Sequence, residues 1–186
     1  MKPLQGKVAL VTGGSRGAGK GIAIELAKAG AFVYVTGRST SAHSTSQGNG
    51  DIDRTISEIE QEGGEGAAIR CDHTIDSETE NVIRRIETEH GQLDILVNNV
   101  WGGNELAIAI KPLWELPVEH WDHMFNSGVR AQLMTNYYAI PLMRNNKNGG
   151  LIIHTTFWDQ YKYIGNFYYD LSKNALVRMA YGLSIE

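Results

Sequence analysis

Apolar residues in this chain come in short unbroken runs, separated by longer stretches where they recur every three or four positions. Residues 7–12 (KVALVT), 32–36 (FVYVT), 93–97 (LDILV) and 151–155 (LIIHT) are runs of the first kind. They are rich in branched side chains and too short for helices, so each predicts a buried strand. Residues 67–70 are strand-like. Residues 18–30 carry Ile22, Leu26 and Ala29 on one helical face, with Gly30 as a stop. Residues 51–62 place Ile52, Ile56 and Ile59 at helical spacing before Gly63-Gly64, and residues 76–90 turn Val82, Ile83 and Ile86 inward before Gly91. Residues 118–146 read mostly as one long helix and 167–186 as another. Earlier in the chain lie a polar Ser/Gly-rich loop at 39–50 and an irregular stretch at 98–117 rich in Gly, Trp and Pro.

Strands that alternate with helices, each apolar throughout, predict a parallel sheet covered on both faces. The expected fold is a three-layer, doubly wound α/β domain spanning residues 1–186, with no internal repeat. Ala175, Leu176, Met179, Ala180 and Leu183 keep a helical pattern to the end, with no cap and no closing strand. A doubly wound sheet commonly has about six strands, and five are legible, so a missing C-terminal segment is expected.

Composition narrows the function classes. A net charge of −4 without a basic stripe leaves little for nucleic-acid binding. The single Cys71 excludes an internal disulfide framework and suits a reducing compartment. The start of the chain has no apolar signal region, and no run reaches the roughly 20 apolar residues of a membrane span. A cytoplasmic enzyme acting on a small molecule is expected, with no nucleic-acid or membrane partner.

Residues 11–21, VTGGSRGAGKG, hold five glycines between the first strand and first helix. From Gly14 the stretch begins like a Walker A loop, G-x-x-x-x-G-K. From Gly13 it reads G-x-x-x-G-x-G, a spaced dinucleotide turn. Strand–turn–helix context suits both. The Walker A reading lacks its last residue, because Gly21 stands where a Ser or Thr would bind magnesium. In the other reading Gly13 permits the turn, Gly17 lets the backbone approach a pyrophosphate, and Gly19 allows close packing at the helix N-terminus.

A second site separates the two. Tyr169-Asp-Leu-Ser-Lys173 sets a phenol and an ammonium four residues apart on one helix face. A free Tyr has a pKa of about 10, and a neighbouring cation lowers it toward proton-shuttle range. Thr12-Gly-Gly-Ser-Arg-Gly-Ala-Gly19, Asn98-Asn99 after the fourth strand, Asn126 in the long helix and Tyr169/Lys173 together resemble the short-chain dehydrogenase/reductase family, over nearly the whole chain. Val97-Asn-Asn-Val-Trp-Gly-Gly103, Trp114-Glu-Leu-Pro117 and Asn126-Ser-Gly-Val-Arg130 are similar to its dehydrogenase/reductase member 1 subgroup.

The resemblance implies an oxidoreductase that interconverts a carbonyl compound and its alcohol. Tyr169 is implied as general acid/base. Lys173 is implied to hold the nicotinamide ribose and lower the Tyr169 pKa, and Asn126 to interrupt helical bonding and anchor a relay water. Thr156 stands where the family's Ser is usual. It keeps a hydroxyl but adds a methyl that narrows the pocket; an ordinary strand-end Thr is the alternative. Gly13, Ser15, Arg16, Gly17 and Gly19 are implied as the pyrophosphate turn, Asn98 as a cofactor contact, and Asp72 as an adenine contact or a helix-start acid. The family's N-N-A-G becomes Asn98-Asn-Val-Trp-Gly102, with Val100 and Trp101 replacing two small residues. The family also usually forms dimers or tetramers, so a homodimer or homotetramer is expected.

A 2′-phosphate on the adenosine calls for cations, whereas a 2′-hydroxyl is usually held by an acid at the end of strand two. Strand two is followed by Arg38, with no acid before Asp51, and Arg16 sits inside the turn. The pair favours NADP(H) over NAD(H). Phe157, Trp158, Tyr161, Tyr163, Phe167 and Tyr168 flank Tyr169, as walls for a bulky apolar substrate or as contacts with a partner subunit. Trp101 and Trp114 are candidates for another wall. His120 and His123 share a helix face but lack a third ligand, Cys71 and His73 are too close in sequence to chelate one ion, and His154 reads as a core histidine, so no metal is expected. The alternative function is a catalytically silent NADP-binding sensor or scaffold. A P-loop phosphotransferase is disfavoured by Gly21, and a dehydratase or epimerase lacks a placed acidic base.

Overall fold

The computed structural model describes residues 2–43, 50–102, 108–157 and 162–186. Residues 44–49 of the polar loop, Gly103, Trp158 and Tyr161 lie outside the described residues. Five strands form one parallel sheet: β1 (Val8–Val11), β2 (Phe32–Gly37), β3 (Glu65–Arg70), β4 (Ile95–Asn98) and β5 (Leu151–His154), in the order β3-β2-β1-β4-β5. The helices are α1 (Gly17–Lys28), α2 (Ile52–Gln61), α3 (Asp76–His90), α4 (Glu119–Phe125), α5 (Ala131–Arg144) and α6 (Phe167–Leu183).

The central strand explains the three layers. Alternate residues of β1 point to opposite faces. Val8 and Leu10 join Tyr34 and Leu96 in a core closed by α3 and α5, while Ala9 and Val11 join Val33, Val35 and Val97 in a core closed by α1 and α2. Every residue of β1 is at most 3% exposed, so both faces had to be apolar. The edge strand β5 differs, with Leu151 54% and Ile153 38% exposed.

Chain direction sets the place of the site. From β1 the chain moves outward through β2 and β3, then returns to the other side of β1 as β4. The loops leaving β1 and β4 therefore part above the sheet, the crevice where doubly wound folds hold ligands. Below it the strands are tightly joined. Asp94 accepts hydrogen bonds from Lys7 Nζ at 2.8 Å and from Val8 N at 2.9 Å. Thr12 N donates to Val97 O at 3.0 Å.

The stretch expected to be mostly one long helix is three pieces: α4, a widened π turn at Asn126–Arg130, and α5. The regular bonding is interrupted at Asn126, and Gly128 is buried within the turn. A bidentate pair, with Arg130 Nη1 and Nη2 each 2.7 Å from an Asp76 carboxylate oxygen, ties the turn to α3.

Candidate active site

At the β1–α1 end, the crevice is shaped by main chain. A cavity of about 340 Å³ is lined there by Gly13, Ser15, Arg16 and Gly17. Gly13 and Gly17 have φ of +67° and +57°, a region that side-chain-bearing residues rarely adopt. Arg16 is the N-cap of α1 with no side-chain cap bond, and the first turn carries no acid. The first N–H groups of a 12-residue helix, with their positive dipole end, thus lie beside the cavity. A Cβ on Gly19 would come within 2.5 Å of Gly13 O, so the turn closes only with glycine at that position.

Farther along, Gly37, Arg38, Cys71 and Asp72 line the same cavity. Burial works to raise the Asp72 pKa, but hydrogen bonds from Thr74 N at 3.0 Å and Thr74 Oγ1 at 2.7 Å outweigh it, helped by the Arg38 charge, and hold the carboxyl below its ordinary value. Burial pushes the Cys71 thiol up to about 12, so it is no nucleophile at neutral pH. His73, also in the lining, is buried with Nε2 2.7 Å from Thr36 Oγ1 and Nδ1 3.2 Å and 3.3 Å from the hydroxyls of Thr79 and Thr135. It knits β2, α3 and α5 together, and burial brings its pKa down to about 4 despite the opposing charge of Asp72.

The third part of the lining is Asn99, Val100, Trp101, Gly102 and Ser127. Asn99 bridges the two diverging loops. Its backbone N–H donates to Thr12 Oγ1 at 3.0 Å and its Nδ2 to Gly13 O at 2.9 Å. Asn98, the expected cofactor contact, is fully buried and is not among the lining residues. Its Nδ2 donates to Asn136 Oδ1 at 2.7 Å, while its own Oδ1 is buried without a partner among the described residues.

Beyond Trp101 stand the expected reactive groups. Asn166 caps α6 by accepting from Tyr169 N at 2.9 Å, and its Nδ2 donates to Ala109 O at 2.9 Å, which pins the helix start to the loop after β4. Tyr169 is half-buried and Lys173 buried. The Lys173 ammonium lies 5.7 Å from the centre of the Tyr169 ring and 3.9 Å from the centre of the Trp101 ring. Burial raises the Tyr169 pKa above its ordinary value and lowers Lys173 to about 8. The expected depression of the phenol by the ammonium is therefore not what dominates in this arrangement. Thr156 Oγ1 donates to the backbone carbonyl of Lys173 at 2.9 Å, so the hydroxyl is tied to the same helix turn. Asn126 is exposed, on the π turn that packs against α6.

The comparison with protein families settles the kinship: the short chain dehydrogenase model matches residues 7–186. The chain belongs to the short-chain dehydrogenase/reductase family. This is a family of oxidoreductases that use nicotinamide cofactors. Among curated relatives, Dehydrogenase/reductase SDR family member 1 of Mus musculus is 34% identical over 181 residues, covering 96% of this chain and 55% of its own. The chain thus spans about half the length of the curated relatives it matches. A hydroxysteroid dehydrogenase from Escherichia coli superposes with a TM-score of 0.79 at 31% identity, over 98% of this chain and 67% of its own. The NADH-dependent reductase A1-R′ complexed with NAD superposes with a TM-score of 0.79 at 26% identity, over 96% and 72% of the two chains.

Against that family background, several residues of the site were not legible beforehand. Asn136, His154 and Gln132 continue the chain from Asn98: Asn136 Nδ2 lies 3.3 Å from His154 Nε2, and His154 Nδ1 lies 2.7 Å from Gln132 Oε1. Gln132 Nε2 then donates to Val100 O at 3.2 Å. A neutral His154 protonated at Nδ1 satisfies every bond in this relay, in keeping with the burial that lowers its pKa to about 4. The relay holds the backbone just before Trp101. Only its polar residues amid apolar neighbours on α5 and β5 hinted at it. Trp114, the other candidate wall, is 84% exposed. Among the described residues no three His, Cys, Asp or Glu side chains converge to hold a metal ion, and no helix is long and apolar enough to cross a membrane.

Proposed function

We propose that the protein interconverts a bulky apolar carbonyl compound and its alcohol with NADP(H), Tyr169 serving as general acid/base. The observation that carries the reading is the Tyr169–Lys173 pair on one face of α6, beside the Trp101 end of the crevice. The fit of a dinucleotide rests on the uncapped start of α1 and on the two left-handed glycines that bring backbone N–H groups to the cavity. Bound there, the nicotinamide supplies hydride to the carbonyl carbon. The turn from Gly13 to Gly19 would hold the pyrophosphate, Asp72 the adenine side, and Asn98 would support the loop through its buried bonds.

Tyr169 would donate its phenolic proton to the carbonyl oxygen during reduction. A phenol whose pKa is raised by burial is fully protonated at neutral pH, the state reduction requires. Lys173 would stabilise the tyrosinate left behind, and Thr156 would fix the helix turn that carries Lys173. Phe157, with its ring centre 6.2 Å from that of Tyr169, and Trp101, at 5.4 Å, would give the substrate apolar walls. The cofactor preference rests on Arg16 and Arg38, both at the cavity wall, as a phosphate clamp. A cytoplasmic homodimer or homotetramer, as in many family members, is part of the proposal.

The second reading is an NADP-binding sensor or scaffold without turnover. It is favoured by one observation: the Thr156 hydroxyl is engaged with the Lys173 carbonyl rather than with the phenol. Assays of the purified protein with NADPH and NADH over a panel of bulky ketones and aldehydes separate the two. The expected kcat/KM is at least about tenfold higher with NADPH, and Arg16→Glu narrows the gap. Equal use of both cofactors would remove the NADP assignment. Tight NADPH binding with no turnover of any carbonyl would favour the sensor.

A further inference from the structure

We propose that Trp101 is a positioning residue for Lys173: its indole face seats the buried ammonium beside Tyr169, and Gly128 is the position that makes room for the ring. The importance of Lys173 to turnover rests on the function proposed above, whereas the seat itself is tested without turnover.

Lys173 is 7% exposed, so its ammonium has lost most of its water. Among the described residues it faces an aromatic ring rather than a carboxylate, with Nζ 3.9 Å from the centre of the Trp101 ring. Indole offers the most electron-rich face among side chains, and the attraction grows when the cation is desolvated. The same indole stands edge-on to Tyr169, with centres 5.4 Å apart and planes at 86°. One ring thus touches both members of the pair.

The seat is built from three sides. A Cβ at Gly128 would lie 2.5 Å from Trp101 Cζ3 and 2.7 Å from Cε3, so the ring fills the space that any side chain there would claim. A Cβ at Gly102 would lie 2.5 Å from Ser127 Oγ, so the loop after β4 lies directly on the π turn. The polar relay ending in the Gln132 bond to Val100 O fixes the backbone one residue before the ring. A leucine would fill the same space but could not offer the ammonium a π face.

The test uses protein labelled with [ε-13C]lysine, with the Lys173 signal assigned by its loss in Lys173→Met. The indole's ring current should shift the Lys173 ε-methylene upfield of the other lysines. Trp101→Leu should return it among them, and Trp101→Phe should keep part of the displacement. Gly128→Ala, which crowds the ring from its seat, should reproduce the Leu result from a different residue. In turnover, Trp101→Leu should lower kcat about tenfold and Trp101→Phe by less than about threefold. A wild-type Lys173 signal that sits among the other lysines overturns the proposal, and needs no variant to fold. An unmoved signal in folded Trp101→Leu does the same. A displaced signal in a protein that turns over no carbonyl supports the seat and counts against the proposed function.

Discussion

The two ends of the crevice are held by different means. At the β1–α1 turn the shape comes from main chain: two glycines at positive φ, an uncapped helix start and a backbone too close to Gly19 for any side chain. The strand beneath is buried on both faces. At the α6 end the shape comes from side chains: an ammonium on an indole, a phenol edge-on to the same ring, and a threonine on a carbonyl. The strand beneath is the half-exposed β5. In the proposed function, backbone geometry would serve the part of the ligand common to every reaction, the cofactor's phosphates. Side-chain geometry can be retuned one residue at a time, which would suit the end proposed to meet the carbonyl compound.

Substitutions at the two ends should therefore separate chemistry from binding. The largest expected effect is from Tyr169→Phe, which removes the proposed proton donor while leaving the glycine end intact. Carbonyl reduction should fall by roughly 10²–10⁴-fold, with NADPH affinity within about threefold of wild type by fluorescence titration. The wild-type profile should also show the sign of the raised phenol. Reduction requires the protonated form and falls only at alkaline pH, while alcohol oxidation requires tyrosinate and rises over that range. Oxidation that peaks below pH 7 would contradict the assignment.

Gly13→Val attacks the other end. A branched side chain at φ +67° is strained by about 2 kcal/mol, and its Cβ would meet the Val100 backbone at 3.2 Å. We expect a lower urea midpoint and at least about a tenfold loss of NADPH affinity. Unchanged binding in a folded variant would show that the turn does not touch the cofactor.

Next in size is the acid sensitivity of the buried histidine at the cavity wall. The His73 pKa falls from 6.5 unfolded to about 4 folded. A depressed pKa contributes stability that is present above pH 6.5 and is lost as pH falls toward 4, because the unfolded chain takes up the proton first. At nine-tenths burial the full loss is roughly 3 kcal/mol. Urea midpoints should drop between pH 7 and pH 5, and less so in His73→Gln. His154, lowered for the same reason, adds to the same window.

The smallest effect should come from Thr156. Thr156→Ser keeps the bond to the Lys173 carbonyl and should leave kcat within about twofold. Thr156→Val loses about 1 kcal/mol of hydrogen bonding and should cost roughly fivefold in kcat. If Ser and Val behave alike, the hydroxyl has no part in holding the helix turn.

The pattern of apolar runs made most of this fold legible, because a strand buried on both faces must be apolar at every position. The third strand was read from residue 67 but begins at Glu65, where the pairing of Phe32 with Glu65 extends it through a charge and a glycine that carry no strand signal. The π turn begins at Asn126, where the family resemblance implied an interruption. Its five-residue extent, with a buried Gly128 against Trp101, depends on packing between residues far apart in sequence. The glycine turn after β1 was legible because glycine spacing encodes backbone geometry directly. Spacing could not tell which of two adjacent asparagines meets the cavity, and alternation at the end of β4 turns Asn98 inward and leaves Asn99 at the wall. Nor could it pair Trp101 with Lys173, since that contact is made only by the folded loop and helix.

The central claim is that the Tyr169 end of the crevice completes a hydride transfer that the glycine end prepares. The direct measurement is mass spectrometry of the products formed from a bulky ketone panel with NADPH deuterated at C4 of the nicotinamide. Deuterium is expected at the carbinol carbon with the wild type, accumulating at least about a hundredfold more slowly with Tyr169→Phe under the same cofactor saturation. Saturating cofactor binding by the wild type with no deuterated alcohol from any ketone would contradict it.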